Sequence, residues 1–440
     1  MHELYEEMRI SDESCQVLEA LTLTNLVIHD LEAVQEILLR QFENFSDRSL
    51  YSNPRDPLTT SISRSNYRMF KILRKPYIAA FAPAKTRELM ASFGHVGREM
   101  LKAIDTTRTR DKNIVDVYDL GQRYLTDIIF RITFGLNTNS LQNPNSKARR
   151  LGMKAVQEGT RPLFDQVWPT LSKLLLKLNI TYHNKESIEY FTEVWEHIMQ
   201  NKSNNDIETN GFVDGLLETQ LGPDQKLSKQ QLVDQLFGVF GPGLDNTSAA
   251  AAYVLYNLAK HPHIQEKTRQ EVKAALARHD NEFTYECLKE MKYTYNVILE
   301  TMRRDPVGYI LPRYSLRHCT IRTSKRTIEI PPRTTIIIPI YSIHHNPDYY
   351  PQPEEFRPER FEEDEIAKRP QCTFLTYGYG TRKCLAYQYA QTVLVFQLAL
   401  LLPHYRFSPC EKTHKQLEFS RKRMFTMSPG GPIYLKVEEI

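Results

Sequence analysis

Apolar residues recur at helical spacing from LEAVQEILLRQF (31–42) to TRELMASFGHVGREMLKAI (86–104), and again over 115–135 and 186–200, so the first two thirds of the chain reads as mainly helical. A further helical pattern runs over 229–262, interrupted by Gly241, Pro242 and Gly243. Proline within a helix loses a donor and crowds the carbonyl four residues back, here that of Gly238, so the spacing predicts a local break. Between these segments, NKSNNDIETNG (201–211) has the composition of an exposed, mobile connection. Strand patterns gather late, at 326–330, 334–340 and 431–437. The expected fold class is mainly α with a small β portion, without internal repeats.

Composition changes this picture little. At 440 residues, 41% hydrophobic and 25% charged, the chain can bury a sizeable core, as one unit or as two or three domains. A net charge of +4 without a long basic block excludes an argument for nucleic-acid binding. Six scattered cysteines, with no CxxC pair, point to a reducing compartment and to no zinc-type cluster. The opening MHELYEEMRI is polar and acidic, unlike a secretory leader. No run approaches the ~18 apolar residues that a spanning helix needs; TVLVFQLALLL (392–402) reads as a buried helix.

The candidate chemistry lies in YGYGTRKCLA (377–386), where Cys384 precedes an apolar helical run. A thiol at a helix N-terminus beside Arg382 and Lys383 is expected to have a lowered pKa and to be anionic. Such a thiolate suits a nucleophile, a redox sensor or a metal ligand, and a buried structural cysteine is the commoner fate of a lone one. The wider spacing of Tyr377, Gly380, Arg382 and Cys384 (aromatic-x-x-G-x-R-x-C) resembles the haem-binding loop of cytochrome P450 enzymes. Upstream, in the family's order, stand PGLDNTS (242–248), ETMR (300–303) and FRPERF (356–361). The first resembles the family's A-G-x-acid-T segment, the second its ExxR motif, the third its PxRF-type segment. FENFSDRSLY (42–51), FGLNTNSLQNPNSKARRLG (134–152) and YSIHHNPDYYPQPEEFRPERF (341–361) are similar to the insect microsomal branch associated with detoxification.

The resemblance covers about residues 5–437 and implies one mostly helical domain over 1–440, with a long broken central helix over haem b. It implies Cys384 as the proximal iron ligand, with Arg74, Arg313 and Arg382 on the propionates and Phe70, Tyr377, Gly380 and Ala386 completing the cofactor site. Glu300, Arg303 and Arg360 would form a buried scaffold behind the haem; without the resemblance, Glu300 and Arg303 are simply one helical turn apart, the spacing of an ordinary surface ion pair. Asp245, Asn246 and Thr247 take the place of the proton-delivery segment. Phe164, Phe240, Leu244, Val307, Ile310, Leu311 and Phe425 fall in the substrate-contacting segments, apolar enough for a lipophilic ligand.

No nucleotide-binding fingerprint is present, so electrons would come from a partner, which the resemblance implies to be an NADPH-dependent flavoprotein reductase, with Lys71, Arg74 and Lys383 as a cationic docking face or merely solvated charges. The branch's spanning helix and proline-rich hinge are not matched, which leaves a truncated form or a soluble variant; the resemblance implies the cytoplasmic face of the endoplasmic reticulum, and a soluble variant the cytoplasm. WPTLSKLLLKLNI (168–180) has the pattern of a helix touching a membrane surface or of a core-facing helix with exposed lysines.

Four positions depart from the family pattern: Phe70 for tryptophan, Asn246 for threonine, Tyr377 for phenylalanine and Ala386 for glycine. The leading expectation is a monooxygenase that inserts one atom of dioxygen into a lipophilic molecule. Asn246 keeps open an electron-independent hydroperoxide isomerase or dehydratase, and the departures together keep open a non-catalytic haem- or ligand-binding protein.

Overall fold

The computed structural model describes residues 15–20, 23–48, 50–157, 174, 175, 177, 178, 180–202, 208–420 and 426–440. Phe164, Phe425, most of 168–180 and residues 203–207 of the polar connection lie outside them. The longer helices are α1 (Tyr67–Ala80), α2 (Met90–Arg110), α3 (Val117–Ile129), α4 (Lys147–Gln157), α5 (Lys185–Asn201), α6 (Lys229–Lys260), α7 (Pro262–Arg278), α8 (Lys292–Arg304) and α9 (Tyr387–Leu401). The expected fold class, mainly α with a small β portion, is the one observed.

Local sequence explains where these helices start. The Asn66 side chain accepts from the Met69 N–H at the head of α1, and Asp116 accepts from Tyr118 and Asp119 at the head of α3. Ser228 and Gln231 form a reciprocal capping box on α6. Helix α6 is apolar around most of its circumference and lies in the largest hydrophobic cluster together with α3, α8 and α9. Gly121 of α3 faces α6, where a Cβ would stand 3.4 Å from the Ser248 carbonyl oxygen, about ordinary contact distance.

The break expected at Pro242 is absent: α6 runs through it as one helix of 32 residues. The proline ring sits on an exposed face of the helix. The N-terminal half of α6 is tied to the 56–65 loop. Asp234 accepts from the Leu58 N–H at 2.7 Å and from the Thr60 N–H and hydroxyl, while Gln235 accepts from the Ile62 N–H at 3.0 Å.

The main sheet has four strands in the order Cys15–Ala20, Leu23–Ile28, Thr335–Pro339, Ile310–Tyr314, antiparallel except for the central parallel pair. Of the three strands expected from the pattern, Thr327–Ile330 pairs with Cys319–Arg322, Thr335–Pro339 lies inside the main sheet, and Tyr434–Glu439 pairs with Tyr405–Ser408 and Ile114–Asp116. Among the described residues no helix is long and apolar enough to cross a membrane.

Candidate haem site

The loop around Cys384 is built by its own backbone. The Gly378 N–H donates to the Leu375 carbonyl and the Cys384 N–H to the Tyr377 carbonyl, each at 2.7 Å, folding the segment back on itself. Gly380 has φ +71°, and a Cβ there would stand 2.4 Å from the Leu38 carbonyl oxygen, so a side chain is excluded both by conformation and by space. Helix α9 begins at Tyr387 with Ala386 as its cap, later than expected, so the sulfur stands before the first turn.

The thiol pKa differs from expectation: Cys384 keeps exposed surface, yet desolvation by the protein around the sulfur pushes its pKa up, and the Ala386 N–H donated to the sulfur, then Arg48 and Lys383, offset part of that. Arg382, expected to face the thiol, is turned away from it. Its guanidinium donates to the backbone carbonyls of Ser46 (3.1 Å), Ile62 (3.4 Å) and Ser65 (2.8 Å), lies 3.9 Å over the Phe70 ring, and burial pushes its pKa down to about 10.

The cation that does face the sulfur is Arg48, whose Nη2 donates to the Arg382 carbonyl at 2.8 Å. It belongs to the FENFSDRSLY stretch, and nothing in its spacing marked it as a site residue. Arg313 is fully buried, and burial, with Arg48 and Arg382 beside it, drives its pKa well down. Buried guanidinium nitrogens without a partner remain on Arg313 (Nε and Nη2), Arg48 (Nε) and Arg74 (Nε), the last carried on α1 next to the Phe70 ring. Cations crowded together with unanswered donors call for anions. The two carboxylates of haem supply that charge, so this donor set fits the group that the Cys384 loop implies.

Behind the loop, Glu300 and Arg303 have no exposed side-chain surface. Arg303 donates to Glu300 through Nε at 2.7 Å and Nη2 at 3.0 Å, and to the carbonyls of His344 and Pro353. Arg360 Nε stands 3.4 Å from Glu300 Oε1 and the Arg357 N–H donates to the same oxygen at 2.9 Å. The three scaffold residues are thus brought together in the interior.

Sequence reasoning missed His344, which joins this scaffold to the loop. Its Nδ1 lies 3.2 Å from the Arg303 carbonyl and its Nε2 accepts from the Leu375 N–H at 2.9 Å, with the ring stacked on Phe374. That pair of bonds requires the neutral ring, and burial holds its pKa well below the ordinary histidine value. On unfolding, the freed imidazole takes up a proton below about pH 6.5, so stability falls as pH drops through that value, by up to ~1.4 kcal/mol per unit. His344→Gln is expected to flatten this slope between pH 7 and 5.5 in urea titrations, and slopes equal to those of the unaltered protein would count against the assignment.

On α6, Asp245 is buried and accepts from the Ser428 hydroxyl at 3.0 Å, while Asn246 and Thr247 follow half-buried. Val307 and Ile310 meet the 426–428 turn, with Met427 donating to the Val307 carbonyl; Leu311 packs on the core beneath the sheet. Leu244 is fully buried. Phe240 is not an open pocket wall: its ring is enclosed by Phe130 and Phe191, with centroids 5.5 and 5.4 Å away, and fills the space left by Gly152. Tyr377 is enclosed as well, its hydroxyl held by Gln391 of α9, so it has a partner other than the sulfur, and burial first, then Cys384, push its pKa up.

Comparison with known proteins agrees with this geometry. The family model described as Cytochrome P450 matches residues 1–437. The chain is 33% identical over 426 residues to the probable cytochrome P450 6a23 of Drosophila melanogaster, covering 94% of this chain and 84% of the relative. It is 32% identical over 438 residues to the probable cytochrome P450 6a13 of the same organism (99% and 87%), and 29% identical over 424 residues to its cytochrome P450 6a8 (93% and 83%).

Proposed function

The chain belongs to the cytochrome P450 family, with relatives of the insect cytochrome P450 6 type, and is a haem-dependent monooxygenase; from that premise we propose that it oxidises lipophilic small molecules, xenobiotics or endogenous lipids, as a single haem domain. The electrons come from an NADPH-dependent flavoprotein reductase, at the cytoplasmic face of the endoplasmic reticulum. The observation that carries this reading is the convergence of unanswered guanidinium donors on Arg48 and Arg313 beside the Cys384 loop, with a further one on Arg74 of α1.

When bound, haem supplies the redox chemistry by which one atom of dioxygen enters the substrate while the other leaves as water, at the expense of two electrons and two protons. The chain's residues hold the reacting partners. Cys384 would hold the iron, with its sulfur oriented by the Ala386 N–H. Arg48, Arg74 and Arg313 would take the haem carboxylates, and Arg382, bonded to the 46–65 backbone, fixes the wall on which they stand. Val307, Ile310 and Leu311 line the approach with apolar surface, and Phe164 and Phe425 belong to the same set. The exposed Lys71 and the half-buried Arg74 and Lys383 offer cations to an acidic reductase surface.

Protons reach the oxygen side through Asp245 and its neighbours. Asn246 can hold a water but lacks the rotating hydroxyl that threonine would provide. Asn246→Thr is therefore expected to raise product formed per NADPH consumed; unchanged coupling would remove Asn246 from proton delivery. The same residue favours a second reading, hydroperoxide isomerisation or dehydration without external electrons. Reconstitution with reductase and a panel of lipophilic substrates separates the two. NADPH-dependent hydroxylation supports the first, and turnover of a lipid hydroperoxide without NADPH, with no hydroxylation, the second.

A further inference from the structure

The turn at 426–428 is pinned to α6 at two points. Met427 donates its N–H to the Val307 carbonyl at 2.8 Å, and its own carbonyl accepts from the Tyr253 hydroxyl of α6. Tyr253 lies two helical turns beyond Asp245, and its side chain leans toward the helix N-terminus, so both residues meet the same turn. The second point is the Ser428 hydroxyl, which donates to Asp245 Oδ2 at 3.0 Å. Both residues are nearly inaccessible, at 2% and 4% exposure. Behind Ser428, the Thr426 hydroxyl lies 3.0 Å from the Ser428 oxygen, on a residue that is only half-buried. Thr426 is held in place by its bridge to Gly308.

We propose that Ser428 and Thr426 form a hydroxyl relay to Asp245, which positions its carboxylate and supplies it with protons, in place of the hydroxyl that Asn246 lacks. The inference rests on the reading of Asp245 as the proton-delivering acid. Three oxygens in sequence, each 3.0 Å from the next, connect the hydroxyl of the half-buried Thr426 to a buried carboxylate. A proton crosses in concerted steps. Thr426 gives its hydroxyl proton to Ser428 as Ser428 gives its own to Asp245 Oδ2, and a hydronium ion of the solvent restores Thr426 and becomes water. The net change is one proton carried from solvent to the carboxylate, and no bond between heavy atoms is made or broken. Ser428 is one of the groups on this carboxylate, and the one that leads outward through a second hydroxyl.

The test uses the haem-loaded protein with its reductase and two readouts. The first is the infrared carboxylate band of Asp245, taken as the difference between the parent and Asp245→Asn. The second is product formed per NADPH. Ser428→Ala is expected to shift the band and to lower coupling about fivefold, the factor carried by one ordinary intramolecular hydrogen bond; Ser428→Thr is expected to restore both. Thr426→Val, which keeps the side-chain shape, is expected to leave the band in place and still lower coupling. An unmoved band in Ser428→Ala overturns the positioning role, and full coupling in both Ser428→Ala and Thr426→Val, while Asp245→Asn uncouples, overturns the relay. Full coupling in Asp245→Asn itself overturns the acid reading on which the relay depends, and the infrared result then reports the hydrogen bond alone.

Discussion

Glu300→Ala is expected to lower the free energy of unfolding by about 3–5 kcal/mol, the cost of leaving buried charge without its partner. The carboxylate stands between two guanidiniums, 2.7 and 3.0 Å from Arg303 and 3.4 Å from Arg360, and all three side chains are at most 2% exposed. Removing it sets two buried cations facing each other and deprives the Arg357 N–H of its acceptor. An exposed pair at the same helical spacing would be worth only about 0.3–0.5 kcal/mol, so the measurement discriminates sharply. Since a domain's whole stability is about 5–15 kcal/mol, the variant should also be hard to isolate with haem. Urea denaturation gives the figure, with Glu300→Gln as the milder comparison: its carbonyl still accepts from Arg357 but no longer balances the charges. A loss below about 1 kcal/mol in Glu300→Ala would mean that the pair is hydrated and the scaffold dispensable.

Residues close in sequence made their relations readable before the fold was known. The Gly380-to-Cys384 spacing and the Glu300-to-Arg303 turn are local, and both stand as expected. What escaped reading depends on partners far along the chain. Leu23–Ile28 pairs with Thr335–Pro339, and no local pattern announces a strand whose neighbour is about three hundred residues away. Arg48 is one arginine among many until Arg382 and Arg313 fold against it. His344 is legible only once the Arg303 carbonyl and the Leu375 N–H lie on either side of its ring. The thiol shift differs from the expectation because only one of the two cations adjacent in sequence, Lys383, acts on the sulfur. Arg382 is consumed by backbone carbonyls, and burial decides the sign. At Pro242 the expectation also fails, since the helix continues through it with the ring on an exposed face.

Cys384→Ser is expected to abolish the defining spectrum and the activity together. In the parent protein, reduced with dithionite and exposed to carbon monoxide, a strongly red-shifted Soret band should report thiolate ligation. Serine keeps the size and the Ala386 N–H contact, but its hydroxyl does not ionise at working pH, so the band should move to the ordinary position. Changing groups that merely orient a metal ligand costs about 10–100-fold, and losing the ligand itself should exceed that, so turnover should fall by more than about 100-fold. Rescue by another thiol is not expected. Cys287 is fully buried and Cys372 nearly so, both in hydrophobic clusters, and burial alone pushes Cys372 up to about 11, with no cation or backbone donor offsetting it as Arg48, Lys383 and Ala386 do at Cys384. Among the described residues no group of His, Cys, Asp and Glu is placed to hold a metal instead. A red-shifted band that persisted in Cys384→Ser would locate the iron ligand on a different cysteine and overturn the assignment of Cys384.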